Sequence, residues 1–148
     1  MNGGRRDYGQ RGGYDQSPVY TVGKEDLTAI LDGADPQKLV RIAEDIAEKA
    51  LTSGREKVTT SQIRNIFGTV KSLEAKGTVS PEVVSKLVLL KPKLAYAAGR
   101  HDKVPGMKVL QTVLSDAIDL VSEKNDRFGM FCGFFEAILA YHKAHGGK

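Results

Sequence analysis

The sequence predicts an all-α protein: a single compact bundle of about five helices that follows a disordered, Gly/Arg-rich amino-terminal tail. Two observations lead to this prediction. From Asp35 onward the apolar residues recur at helical spacing, and no segment shows the strict alternation of a half-buried strand. Residues that start and stop helices also punctuate this part of the chain. With 148 residues, of which 41% are hydrophobic, the chain can bury one core without disulfides or a structural metal.

The amino-terminal segment, residues 1–18, is expected to be the disordered tail, and residues 19–148 the helical domain. Five of the sixteen glycines lie in the first thirteen residues, where almost no aliphatic side chain is available to bury. The Arg-Gly-Gly-Tyr segment at 11–14 resembles segments that hold RNA loosely, although a passive tail is the preferred interpretation. Residues 19–34 allow either disorder or one short helix.

Two predicted helices have clear starting residues. Asp35 can cap the first helix with Pro36 at its first position, and the apolar stripe that follows ends at Gly54. The members of that stripe are Leu39, Ile42, Ala43, Ile46, Ala47 and Ala50. Thr59 and Gln62 form a capping box for the second helix, which is expected to stop at Gly77. Its apolar stripe consists of Ile63, Ile66, Phe67, Val70 and Leu73.

The third predicted helix begins at Ser80-Pro81 and contains a second proline, Pro92. This proline lacks an amide hydrogen, and its ring clashes with the carbonyl of Val88 in a regular helix. We therefore expect the third helix to be kinked or split at Pro92. The chain then leaves the helix between Gly99 and Gly106.

The fourth and fifth predicted helices are the most apolar. The fourth buries a stripe formed by Val109, Leu110, Val113, Leu114, Ala117, Ile118 and Val121. The fifth, at about 127–144, has almost no polar face and is expected to be the central helix or half of an interface. Gly129 and Gly133, four residues apart, predict that another helix crosses closely on that side.

Several protein classes are excluded by composition. Cys132 is the only cysteine, so the chain has no disulfide framework and no thiolate zinc site. A reducing, cytoplasmic compartment is therefore expected. The amino terminus lacks the apolar region of a signal peptide, and the apolar run at 128–141 is too short to span a bilayer. We expect no membrane partner.

The net charge of +4 conceals an uneven distribution. Residues 54–108 carry eleven basic and four acidic side chains, whereas residues 21–53 carry four basic and seven acidic ones. Residues 109–148 are also slightly acidic, with four basic and five acidic side chains. The middle of the chain is therefore a basic block between acidic flanks, which indicates an anionic partner for that block.

Three ordered motifs carry a family resemblance. They are Thr-Ser-Gln-Ile-Arg-Asn-Ile-Phe at 60–67, Leu-Ala-Tyr-Ala-Ala-Gly-Arg at 94–100 and Phe-Phe-Glu-Ala-Ile-Leu-Ala-Tyr-His-Lys at 134–143. In this order and spacing the chain resembles the small helical subunit of the type III-A CRISPR effector, the Csm complex, over roughly 35–147. The amino-terminal tail is outside the family pattern.

The resemblance implies a non-catalytic RNA-binding subunit of mostly helical fold, with no cofactor and no metal. Its implied nucleic-acid partners are the CRISPR RNA and the target RNA, contacted along the backbone without reading sequence. Its implied protein partners are the subunit that holds the guide, the large polymerase-like subunit, and further copies of itself along the effector filament.

The basic block supplies the candidate RNA-binding residues. Lys and Arg bind phosphates whatever the bases are, because they displace condensed counterions. The candidates are Arg55, Lys57, Arg64, Lys71, Lys86, Lys91, Lys93, Arg100 and Lys103. Arg64 and Lys71 are seven residues apart, which places them on one helix face about 10 Å apart along the axis. The alternative is an ordinary solvated surface.

Three further residues are assigned structural roles. Glu136 is the only acid on the nearly apolar fifth helix, and a buried carboxylate needs a cationic or hydrogen-bonding partner. We hypothesise that Glu136 pairs with Arg64, Arg100 or the Tyr96 hydroxyl. Tyr96 and Tyr141 lie inside the motifs, where a core or interface role is preferred and stacking on an RNA base is the alternative.

Two other functions remain as alternatives. The first is a helical protein–protein adaptor without RNA affinity, which would dock through the apolar fifth helix. The second is a metal-dependent hydrolase that uses His142, His145 and Glu136, although a third well-placed ligand is not evident. His101 could donate to a phosphate. Cys132 lies among phenylalanines and is interpreted as a core residue.

Overall fold

The computed structural model describes residues 20–148, so the tail predicted for residues 1–18 lies outside the described residues. Within 20–148 the chain forms seven α-helices and no strand, which confirms the all-α prediction. The helices are α1 (Lys24–Leu31), α2 (Pro36–Ile46), α3 (Thr60–Glu74), α4 (Pro81–Val88), α5 (Leu90–Arg100), α6 (Pro105–Glu123) and α7 (Phe128–Ala144). A π-helical turn (Ala47–Leu51) follows α2, and a 3-10 turn (Asn125–Arg127) precedes α7.

The core lies between α6 and α7 and the shorter helices around them. Helix α6 packs against α1, α4, α5 and the π turn, while α7 packs against α1, α2 and α3. At the centre of α7, Phe131, Phe134 and Phe135 have no solvent exposure. The Phe135 ring meets the edge of Phe67 from α3 with ring centroids 5.2 Å apart. The predicted central helix is thus one of two helices that organise the bundle.

Residues 19–34, for which the sequence allowed disorder or a short helix, contain α1. Leu27, Ile30 and Leu31 are at most 1% exposed, so this helix is held by burial of its apolar face rather than by helix propensity. The helix ends at Leu31, Asp32 is its C-cap, and Gly33 then adopts a positive φ of 73°. Such a backbone conformation favours glycine, and it turns the chain towards α2.

The first predicted helix begins as expected but ends differently. The Asp35 carboxylate accepts a hydrogen bond from the Lys38 amide at 3.0 Å, which confirms the cap. The α-helix ends at Ile46, whereas the sequence predicted that its apolar stripe would continue to Gly54. The last residues of that stripe lie in the π turn instead. The Thr52 amide and hydroxyl both donate to the Ala47 carbonyl, at 2.9 and 2.8 Å.

The third predicted helix is split, as expected, but the break falls at Leu89 rather than at Pro92. Because α5 starts at Leu90, Pro92 lies in the first turn of that helix, where an amide hydrogen needs no intrahelical partner. The steric conflict with the Val88 carbonyl is removed by ending α4 before it arises. Pro92 therefore explains the break, as predicted, but the break lies three residues before the proline.

Helix α7 is not buried all round, and the predicted helix crossing at its glycines is wrong for the described chain. Gly129 and Gly133 are exposed, and a Cβ atom added to either would meet nothing within 4 Å. The glycines share an open stripe with Glu136, Ala140 and Lys143. The other helices pack against the phenylalanine side of α7 instead, since that side has the larger apolar area to bury.

Candidate nucleic-acid interface

A groove runs between α3 and α5 and has a volume of about 630 Å³. One wall comes from α3 and the other from α5, and His101 lies at the end of α5. The α3 wall consists of Ser61, Gln62, Asn65, Ile66 and Thr69. The α5 wall consists of Pro92, Lys93, Tyr96, Ala97 and Arg100. No Asp or Glu belongs to either set, so the groove combines positive charge with neutral hydrogen-bonding groups.

The α5 wall supplies the charge. Lys93 and Arg100 are two turns apart on one helix face, which separates them by about 10 Å along the axis. Both are exposed, and no salt bridge within residues 20–148 involves either of them. Two cations that have no acidic partner among residues 20–148 and lie along one groove are suited to bind neighbouring phosphates.

The α3 wall supplies the hydrogen-bonding groups. Ser61, Asn65 and Thr69 recur every four residues and therefore share one side of α3. The capping box that begins α3 is complete: the Thr59 amide donates to Gln62 Oε1 at 2.8 Å, and the Gln62 amide donates to Thr59 Oγ1 at 3.2 Å. Gln62 Nε2 also lies 3.2 Å from His101 Nδ1, which joins the two walls at one end of the groove.

Sequence reasoning missed this polar wall, although its signal was present. The four-residue repeat of Ser61, Asn65 and Thr69 is a polar stripe beside the apolar stripe of the same helix. A search for charged residues does not find it, because none of the three carries a charge. Tyr96, on the opposite wall, is 68% exposed, so it does not belong to the core; its predicted interface role and the alternative of stacking on a base stay predictions.

The predicted basic residues do not form one surface. Arg64 and Lys71 are exposed and share one face of α3, and neither of them lines the groove. Lys71 donates to Glu74 at 2.7 Å, lies 3.6 Å from Glu136 Oε2, and sits 5.9 Å from the Phe67 ring centroid. The hydrogen bond to Glu74 raises the Lys71 pKa. Lys71 therefore stays charged, and Glu74 and Glu136 offset part of that charge.

The other five candidate cations lie outside the main groove. Lys86 lies 3.8 Å from Glu82 on the same helix, and Lys91 pairs with Asp119 of α6. Arg55 and Lys103 line a smaller cavity of about 230 Å³ near the start of α6. Lys57 is exposed in the loop before α3. Of the nine predicted residues, Lys93 and Arg100 thus lie together in the main groove. Arg55 and Lys103 lie together in the smaller cavity.

The hypothesis about Glu136 is wrong. Its side chain is 65% exposed, and the cation near it is Lys71 rather than Arg64 or Arg100. An exposed carboxylate keeps its hydration, so it needs no buried partner. Tyr141, by contrast, is half-buried and packs against the core.

The histidines of the hydrolase alternative have unrelated partners. His142 is 1% exposed, and its Nε2 lies 2.8 Å from the Val58 carbonyl, so that nitrogen must carry the hydrogen. His145 instead lies 3.1 Å from Glu44. Within residues 20–148, no group of three His, Cys, Asp or Glu side chains could hold a metal ion. Burial raises the pKa of the Cys132 thiol to about 12, so it is protonated at neutral pH and is a poor nucleophile.

An acidic surface on α6 contrasts with the groove. Asp116, Asp119 and Glu123 line a cavity of about 330 Å³ between α1 and α6. Burial and the nearby Asp119 raise the pKa of Asp116. Lys24 also lines this cavity and Asp119 pairs with Lys91, so its negative charge is partly balanced. No helix in the described part of the chain combines the length and apolarity needed to cross a membrane.

The fold and the groove define a small helical protein with a basic cleft whose lining contains no Asp or Glu. The family model for Csm2 Type III-A matches residues 33–148. The chain therefore belongs to the Csm2 family of type III-A CRISPR systems, as its three motifs indicated.

Two curated relatives are both described as CRISPR system Cms protein Csm2. The protein from Enterococcus italicus is 33% identical over 94 residues, which cover 58% of this chain and 66% of the relative. The protein from Streptococcus thermophilus is 29% identical over 112 residues, which cover 70% of this chain and 91% of the relative. No solved structure matches the chain significantly.

Proposed function

We propose that this chain is a non-catalytic, RNA-binding small subunit of a type III-A CRISPR interference ribonucleoprotein. It contacts the backbone of the guide and target RNA without sequence specificity and packs along the effector filament. The observation that supports RNA contact is the α3–α5 groove, in which Lys93 and Arg100 lie two turns apart with no acidic residue in the lining. Phosphates are attracted by that charge whatever the base sequence is.

Membership of the Csm2 family supports other subunits of the Csm complex as partners. From the motif resemblance we further propose the CRISPR RNA and target RNA, the guide-holding subunit, the large polymerase-like subunit, and further copies of this chain. The chain works by binding rather than by turnover, without cofactor or metal. A reducing, cytoplasmic location agrees with a single cysteine whose thiol is buried.

The test is a salt titration of single-stranded RNA binding by the full chain. The double variant Lys93→Glu/Arg100→Glu should bind more weakly, and the slope of log affinity against log salt should fall by about 0.7 for each phosphate that the variant no longer binds. Lys76→Glu is the matched control, because Lys76 is exposed in the turn after α3 and outside the groove. Unrelated RNA sequences should give the same slopes.

A second candidate function is the protein–protein adaptor. It is favoured by the open stripe of α7, where Gly129 and Gly133 leave space for another chain. If the unaltered chain assembled with partner subunits but showed no salt-dependent RNA affinity, the adaptor would replace the RNA-binding proposal. If the groove variant and Lys76→Glu lost affinity equally, the RNA contact would not lie in the groove.

A further inference from the structure

The least expected feature of the groove is Tyr96. Its side chain is 68% exposed, the largest exposure among the large apolar and aromatic side chains of residues 20–148. No hydrogen bond within the described residues uses its hydroxyl, and no other aromatic ring stacks on it there. Exposure of this ring to water is unfavourable in the isolated chain. Binding of a flat apolar surface over the ring removes that unfavourable contact and is therefore favoured.

The neighbours of Tyr96 specify what could cover it. Lys93 is three residues before it and Arg100 four residues after it, so the ring lies between two cations on one helix face. Across the groove, Asn65 and Thr69 offer neutral donors and acceptors. A ligand for this arrangement has a flat aromatic body, polar edges and a negative charge on either side. A nucleotide within an RNA strand has each of these properties.

The dimensions of the groove agree with such a ligand. Its volume of about 630 Å³ lies within the range of roughly 300–1,000 Å³ that is usual for small-ligand sites. A duplex presents its bases stacked inside the helix, where no side chain from this groove can cover a base face. The ligand is therefore a base turned out of its strand, or a base of a single strand.

We propose that the α3–α5 groove holds one unstacked nucleotide of an RNA strand, with its base stacked on Tyr96 and its flanking phosphates on Lys93 and Arg100. This inference rests on the proposed RNA-binding function, and it specifies that the groove binds a single nucleotide of the strand. Every base has a π face, so stacking of this kind tolerates any sequence and agrees with contact that is not sequence-specific.

The test uses the full chain and a short single-stranded RNA with one 2-aminopurine, whose fluorescence falls when it stacks on an aromatic ring. Tyr96→Ala should abolish the quenching and weaken binding by roughly five- to one-hundred-fold. Tyr96→Phe keeps the ring and should retain both. Because the ring carries no charge, the salt slope should be the same in all three proteins. Circular dichroism checks that the variants remain folded, which is expected for so exposed a side chain.

The outcomes separate this inference from the function on which it rests. Absence of salt-dependent RNA binding in the unaltered chain would overturn both. If the unaltered chain binds RNA and Tyr96→Ala binds it equally well, the stacking site alone is overturned. The same conclusion holds if Tyr96→Ala impairs assembly with a protein subunit but leaves RNA binding unchanged. A free nucleotide monophosphate that competes as well as the RNA strand would also overturn it, because the site would then take free nucleotides.

Discussion

His142 illustrates how one buried polar side chain can organise the end of a small domain. Its Nε2 donates to the Val58 carbonyl, which links α7 to the loop before α3, 84 positions earlier in the chain. The chain then closes over the imidazole: Gly146 has a positive φ of 88°, and the Gly147 amide donates to the His142 carbonyl at 2.8 Å. This is the Schellman arrangement, and it explains the two glycines after α7.

Removing this imidazole should destabilise the fold. In His142→Ala the Val58 carbonyl loses its donor while it remains buried, which lowers the free energy of unfolding by at least about 1–3 kcal/mol. Urea denaturation measures the change. His145→Ala is the matched control, because its partly exposed pair with Glu44 contributes at most about 1 kcal/mol. Equal losses in the two variants would contradict the assigned role of His142.

At the scale of elements, the contact between the π turn and α6 depends on a missing side chain. A Cβ atom on Gly106 would lie 2.5 Å from the Ala50 carbonyl oxygen and 2.7 Å from Val58 Cγ2. The π turn and the start of α6 therefore approach closely only because residue 106 is glycine. Gly133 on α7 has the opposite environment, since nothing lies within 4 Å of its Cβ position.

The same substitution should consequently have opposite effects at these two glycines. Gly106→Ala forces two backbone segments apart and should lower the free energy of unfolding by roughly 1–3 kcal/mol. Gly133→Ala should raise it by about 0.5–1 kcal/mol, because alanine restricts the unfolded chain and favours the helix. Thermal unfolding of the isolated chain compares the two. A stable Gly106→Ala protein would mean that the π turn is not held against α6 as described.

The elements also show how far sequence alone predicts the candidate site. Lys93 and Arg100 were predicted as members of the basic block, and their seven-residue spacing places them on one face because both lie in α5. Lys91 was selected from the same basic block, but it pairs with Asp119, which lies on another helix, and Lys71 has Glu136 of α7 at 3.6 Å besides its local partner Glu74. A sequence pattern within one helix does not predict a contact with another helix. The groove itself exists only because α3 and α5 lie side by side.

At the scale of the whole molecule, one ion pair joins distant parts of the chain. Arg127 Nε donates to Asp32 Oδ1 at 2.7 Å and a second guanidinium nitrogen to Oδ2 at 3.3 Å, across 95 positions of sequence. Arg127 also donates to the Leu120 carbonyl at 2.9 Å. The end of α1 is thereby tied to the junction between α6 and α7. The hydrogen bonds from Arg127 hold the Asp32 pKa below its ordinary value.

This pair predicts a specific dependence of stability on pH. A carboxyl group whose pKa is lower in the folded state contributes stability above its unfolded pKa of about 3.9, and the contribution is lost as the pH falls through the folded pKa. Asp32→Asn should therefore melt at a lower temperature than the unaltered chain near neutral pH. The difference should shrink steadily below about pH 4.

Glu56→Gln is the control for this series, because it removes an exposed loop carboxylate. Its melting temperature should follow that of the unaltered chain at every pH. A melting difference for Asp32→Asn that stayed constant from neutral to acidic pH would show that the charge of Asp32 is not what stabilises the junction.

The amino-acid sequence by itself determined the helical class, the family, and the caps at Asp35, Thr59 and Ser80, whose side chains each accept a hydrogen bond from the amide three residues later. These features depend on periodicity, capping chemistry and motif order, which are properties of short segments. Only the tertiary structure decided which face of α7 is open, that Glu136 is exposed, and which cations share a groove. Burial and charge neutralisation depend on side chains that are remote in sequence, so they are set when the helices pack against one another.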